Sequence, residues 1–199
     1  MPLADTLTDI ANLALASIGE QQIENIDEST SVAKTIRRMI SETIRQTILL
    51  VDWPELRVTF KPTGVEDSET GMWTYNLPTN FLEVLHLNPL YTFSALDSWE
   101  LEAGKLRVPV AGITLTYKRY SEEVTDWSGN LVELIYRKIA ANIAMPLTQN
   151  QNIAGMAMQE YERCKMAILP RMKNRNHGLR QRKRGYGNLS SRRARGGIY

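Results

Sequence analysis

No Asp or Glu follows Glu162, there is one cysteine, and only two histidines and three phenylalanines occur in 199 residues. Each shortage excludes something. A lone Cys164 rules out an intramolecular disulfide, so folding requires no oxidising compartment and cytoplasmic synthesis is the default. His86 and His177 lie far apart with no second Cys, short of the four close-set ligands zinc prefers, so no metal site is expected. No run approaches the ~20 apolar residues of a bilayer span. The opening "MPLADTLTDIANLALASIG" carries acids and spaced apolar residues in place of a basic leader, unlike a signal peptide. Walker loops, dinucleotide fingerprints, Gly-x-Ser-x-Gly elbows and HExxH helices are missing as well. The expectation is therefore a non-enzyme with no catalytic residue and no cofactor.

The residues that could do chemistry have plainer readings. Cys164 sits on an apolar helical stripe, where a thiol behaves as a small hydrophobe. Acids cluster at Glu66/Asp67/Glu69, Asp97/Glu100/Glu102 and Glu122/Glu123/Asp126, in turn-rich segments that read as solvated. Acid catalysis would need a carboxyl whose pKa is raised by burial. Trp53, Trp73, Trp99 and Trp127 flank strands or helix starts, where core packing and subunit contact are both open.

What is present is a foldable body. Hydrophobic residues make up 43% of the chain, enough for one domain plus an arm. Leu7, Ile10, Ala11, Ala14, Leu15 and Ile18 are helix-spaced, with Gly19 placed as a C-cap. After a polar link with Asp and Ser capping candidates, Val32, Ile36, Ile40, Ile44, Ile48 and Val51 predict a longer helix stopping near Trp53, before Pro54. The period then becomes two: Leu56/Val58/Phe60, Trp73/Tyr75/Leu77 and Ile113/Leu115/Tyr117. "SWELEAGKLRVPV" predicts a hairpin turning at Ala103 and Gly104, with Trp99 and Leu101 facing Leu106 and Val108. "KPTGVEDSETGMW" reads as an exposed loop. Leu131, Leu134, Ile135, Ile139 and Ile143 restore helical spacing, beginning at Asp126 or at the Asn130/Glu133 pair, and Pro146 is expected to close that helix. Ile153, Met156, Ala157, Tyr161, Cys164 and Ile168 predict a last helix running out near Pro170.

The expected architecture is mainly α: an antiparallel helical bundle with a small antiparallel β-sheet insertion and an extended C-terminal arm. Residues 1–54 supply two helices, 55–120 the sheet, 121–170 two more helices and 171–199 the arm.

Charge divides at the same place. Residues 1–170 hold 14 basic against 22 acidic side chains, a net −8, whereas 171–199 hold ten basic and no acidic ones, a net +10. A free arm so polar cannot bury enough surface to order itself. The mixture of Arg, Lys, Gly and Tyr in "RQRKRGYG" and "SRRARGG" suits phosphates, stacking on bases, or bidentate pairing with acidic side chains.

Four segments carry a resemblance. "ALASIGEQQIENIDESTSVAKTIRRMISETIRQTILLVDWPELR", "MWTYNLPTNFLEVLHL", "LTYKRYSEEVTDWSGNLVELIYRKIAANIAMPLTQN" and "AGMAMQEYERCKMAI" together span most of residues 11–168. They are similar to the head-to-tail adaptors (tail tubular protein A) of short-tailed phages, related in fold to connector proteins of long-tailed phages. The likeness lies in an Ile-Gly helix end, a long helix closing near Trp-Pro, a Leu-Pro-x-x-Phe turn and a helix broken by Pro-Leu-Thr. Two features depart from the pattern: "TDWSGN" stands where Asp-Pro usually opens the third helix, and the basic arm is an addition. The resemblance implies a viral structural protein at the head-tail junction of the virion. Its dodecameric ring would join the portal protein to the tail nozzle protein, with viral double-stranded DNA passing through the lumen and no membrane involved. The arm would dock on portal through Arg180, Arg182, Lys183, Arg184, Arg192, Arg193 and Arg195, with Tyr186 and Tyr199 as aromatic anchors. The alternative is a nucleic-acid-binding protein whose arm grips phosphates.

Overall fold

The computed structural model describes residues 4–88 and 99–185, with side chains through Lys173. It divides into two compact units, one built from residues 1–52 and 128 onward, the other from residues 53–127.

The first unit is helical. Helix α1 (Leu7–Ile18) opens on a capping box, since Thr6 Oγ1 accepts the Asp9 N–H and the Asp9 carboxylate accepts the Thr6 N–H. It ends at Gly19, whose φ of 77° supplies the left-handed C-cap. The polar link then folds back along α1: the Asn12 side-chain amide donates to Ile23 O and accepts from Ile23 N, both at 2.9 Å, and Thr8 Oγ1 accepts the Ile26 N–H at 3.2 Å. Thr30 caps α2 (Ser31–Leu49), which buries Ala33, Ile36, Ile40, Ile44 and Ile48. Helix α3 (Gly129–Thr148) is the hub against which α1, α2 and α4 (Gln151–Gly185) all pack. Along the α2–α3 seam, Lys138 Nζ donates to Gln46 Oε1 at 2.8 Å and Asn142 Nδ2 to Thr43 Oγ1 at 3.3 Å.

Among its described residues the second unit consists of strands and two short 3-10 turns. Its strands are β1 (Arg57–Phe60), β2 (Gly64–Glu66), β3 (Trp73–Asn76), β4 (Phe81–Asn88), β5 (Glu100–Glu102), β6 (Lys105–Val108) and β7 (Thr114–Arg119). They form two antiparallel sheets, ordered β1-β7-β4 and β2-β3-β6-β5. One core serves both, because Leu87, Leu115 and Tyr117 of the three-stranded sheet cluster with Tyr75, Leu106 and Val108 of the four-stranded one.

That arrangement corrects the mainly α expectation. The protein is an α/β mix, with about half of its residues helical and a fifth in strands. The β region, inserted between residues 52 and 128, is two sheets sharing a core and a unit in its own right, not one small sheet. Two strands account for the difference. "FLEVLHLN" forms β4, with register irregularities between Phe81 and Glu83 and between Val84 and His86 that hide its period of two. The stretch expected as a loop contains β2, whose Val65 is 72% exposed, so alternation had no buried face to mark.

Helix boundaries also shift. Helix α3 is capped by Ser128, which accepts the Leu131 N–H, and neither Asp126 nor the Asn130/Glu133 pair begins it. Asp126 belongs instead to a short turn, where it accepts hydrogen bonds from Arg119 at 2.8 Å and Ser121 at 2.9 Å. Pro146 and Pro170 both lie inside helices. The arm expected to be extended from residue 171 is therefore helical through Gly185. Proline deletes one backbone bond and crowds the preceding turn, but Ile168 and Met172 on either side of Pro170 are both buried, and this packing carries α4 past it.

Candidate docking helix

Helix α4 begins with Asn150, whose side-chain carbonyl accepts the backbone N–H groups of Asn152 and Ile153. Ala, Met, Gln, Glu, Arg and Lys, all strong helix formers, then dominate. At ~1.5 Å per residue its 35 residues span roughly 52 Å, far more than the body needs. Tyr161, Cys164, Ile168 and Met172 are buried at spacings of three and four, so the packed face is continuous as far as Met172.

Ion pairs fix the packed half. Arg137 of α3 bridges Glu133 at 3.1 Å and Glu160 at 3.2 Å, and Arg163 and Lys165 reach Glu160 and Glu162 one turn back. Lys165 Nζ also stands 5.2 Å from the Tyr161 ring centroid. Beside them the Cys164 thiol is pushed up to about 11, first by burial and then by the nearby Glu133 carboxylate. It therefore stays protonated at neutral pH and acts as packing.

Beyond Met172 the helix changes character. Arg171 to Gly185 contains seven Lys and Arg and no acid. A cationic final half suits the negative end of the helix dipole, one physical reason for a helix where an extended arm was expected. Of the predicted docking residues, Arg180, Arg182, Lys183 and Arg184 fall on this helix. Tyr186, Arg192, Arg193, Arg195 and Tyr199 lie outside the described residues.

The exposed methionines of α4, off its buried stripe, were not anticipated. Met156 and Met166 are 67% and 68% exposed, and Met158 is 46% exposed. The sequence reading placed Met156 on the packed side with Ile153 and Ala157. The signal against this was its offset of about 110°, at 100° per residue, from the Tyr161/Cys164/Ile168 line. Exposed, adaptable methionines are common where a protein meets a partner.

The other candidates remain scattered. Among the described residues no three His, Cys, Asp or Glu side chains gather as a metal site, and no helix is long and apolar enough to cross a membrane. His86 lies exposed on β4. Asp67 accepts hydrogen bonds from Thr70 at 2.8 Å and the Glu69 N–H at 3.1 Å, and Arg107 approaches to 3.5 Å. The Thr70 hydroxyl above all holds its carboxyl below the usual range, the opposite of what a general acid requires. Trp53 and Trp127 are buried, whereas Trp99 is 37% exposed just ahead of β5. Compared with models of protein families and with curated proteins, the sequence finds no match in either.

Proposed function

We propose that this chain is a structural virion protein, a head-to-tail adaptor whose ring joins portal to tail nozzle and leaves a channel for genome ejection. The observation that carries the reading is the charge step within α4: residues 1–170 carry a net −8, and from Arg171, beside the buried Met172, the helix continues with cations and no acid. Duplex DNA bears about one negative charge per 1.7 Å of axis, so a net-acidic ring lets it slide where a cationic lumen would hold it. The cations are gathered instead at one end of the chain, where they serve docking on an acidic portal surface. Exposed pairs contribute less than about 1 kcal/mol each, but a ring presents many copies together and gains from effective concentration.

Deleting residues 173–199 tests this, because the cut falls after Met172 and spares the packed face of the described residues. The truncated chain should keep the melting of the full chain, lose only the helical circular dichroism of the deleted α4 segment, and fail to co-assemble with portal. Normal co-assembly would refute the docking role. Salt-sensitive retardation of duplex DNA by the full chain but not the truncation, with portal assembly intact, would favour nucleic-acid binding instead.

A further inference from the structure

The helical unit carries a second charge division, independent of the C-terminal one. Its first 33 residues contain six acids, Asp5, Asp9, Glu20, Glu24, Asp27 and Glu28, and no Lys or Arg. Asn12 and Thr8 bind Ile23 and Ile26 of the link to α1, so the link's acids run beside the helix that carries Asp9 and make an acidic flank. Hydrogen bonds from Thr6 to Asp9 and from Thr30 to Glu28 hold these two carboxyls below their ordinary range.

Helix α2 has the complementary face. At 100° per residue Lys34, Arg38 and Arg45 fall within an arc of about 40° and extend over about 17 Å of axis. All three are exposed and make no ion pair with a described residue. Leu49, 42% exposed, stands within about 40° of the strip's centre at the C-terminal end of the helix, with the exposed Leu50 following it. Arg37 stands to one side, 3.5 Å from Asp27.

Helices α1 and α2 each pack on α3 far more than on one another. Among the described residues Lys34, Arg38 and Arg45 pair with no carboxylate of their own copy, where Arg37–Asp27 is the one ion pair between the acidic flank and α2. We infer that flank and strip mate between copies: the α2 strip of one chain lies against the α1 flank of the next. Two different patches in contact make a heterologous interface, which repeats from copy to copy and closes when the rotation permits. A polyanion fits the strip less well, since Glu42 borders it and exposed leucines end it, features a protein partner uses and a phosphate backbone does not. The contact deepens the adaptor reading, on which it rests for its ring, but it is measurable without portal.

Equal amounts of ¹⁴N- and ¹⁵N-labelled full chain, treated with a zero-length carbodiimide at low salt, should give isotope-mixed cross-links from Lys34 to Glu20 or Glu24. Lys34→Glu/Arg38→Glu/Arg45→Glu should abolish these links and weaken self-association by at least ~10-fold in sedimentation velocity, with an unchanged circular dichroism spectrum. Adding Asp5→Lys/Glu20→Lys/Glu24→Lys to the same chain should restore association, since the charges are then swapped; a misfolded first variant would not be rescued in this way. Absence of mixed links in the wild type, or undiminished association of the triple variant, overturns the inference. A chain that self-associates through these faces yet ignores portal sinks the adaptor reading alone, and portal assembly by the triple variant at wild-type levels sinks the contact alone.

Discussion

Gly64 stands opposite Tyr75 in the β2–β3 register, and a Cβ at that position would run into the Tyr75 ring. The ring cannot retreat easily, because it is 1% exposed and its hydroxyl donates to Val110 O at 3.1 Å. Gly64→Ala should therefore cost about 1–3 kcal/mol in urea denaturation, as overpacking does; a cost below 0.5 kcal/mol, the ordinary surface range, would show that β2 shifts freely. A second test concerns charge. Lys118 on the central strand β7 is 2% exposed and donates to Glu83 Oε2 at 2.8 Å, while Glu83 is half in water. Glu83→Gln leaves a buried ammonium with only a neutral acceptor, whereas Lys118→Met removes the charge itself. Glu83→Gln should be the more destabilising of the two in the same assay, by ~1 kcal/mol after allowance for solvent at the exposed partner.

Among the elements, the β5–β6 hairpin was readable because its turn chemistry is local. Ala103 and Gly104 have φ of 48° and 75°, both in the left-handed region, and Leu101 pairs with Leu106 as the sequence predicts. Ala103 is the strained member, so Ala103→Asn should raise the melting midpoint by the equivalent of up to ~1 kcal/mol; a fall would mean that the turn is held by contacts beyond its backbone. The four helices were readable for a related reason, since each buries an uninterrupted stripe. Strands β2 and β4 were not, because an exposed edge and register irregularities erase the period of two. Nor was the far half of α4. Pro170 is a stop signal on local grounds, and the burial of Met172 that overrides it is a tertiary fact. Of the docking site, only the charge was legible. The exposed methionines and the α2 strip depend on which helix face is covered, and the sequence reading attended only to the apolar side.

For the whole molecule, the placement of charge decides how stability responds to acid. Asp9 and Glu28 in the helical unit and Asp67 in the β unit all have carboxyls held below their ordinary range, in each case first by a threonine hydroxyl donating to the carboxylate. A lowered folded pKa stabilises fully above the unfolded value, about 3.9 for Asp and 4.3 for Glu, and that contribution is lost as pH falls through the folded pKa. The bulk charge moves the same way. Once its carboxylates are neutralised, the chain has 24 Lys and Arg plus two His with nothing to offset them, and self-repulsion opposes the compact state. Calorimetric melting points should therefore hold level from neutral pH to about 5 and then drop steeply below about 4. Asp9→Asn separates the two causes. It forfeits the ionised capping box at pH 7, so it should melt lower there; as pH falls through the lowered folded pKa of Asp9 and the wild-type carboxyl is neutralised too, the gap between the two proteins should close. A gap that stays constant across the titration would mean that the Thr6–Asp9 box stabilises α1 through geometry alone, with no part played by its charge.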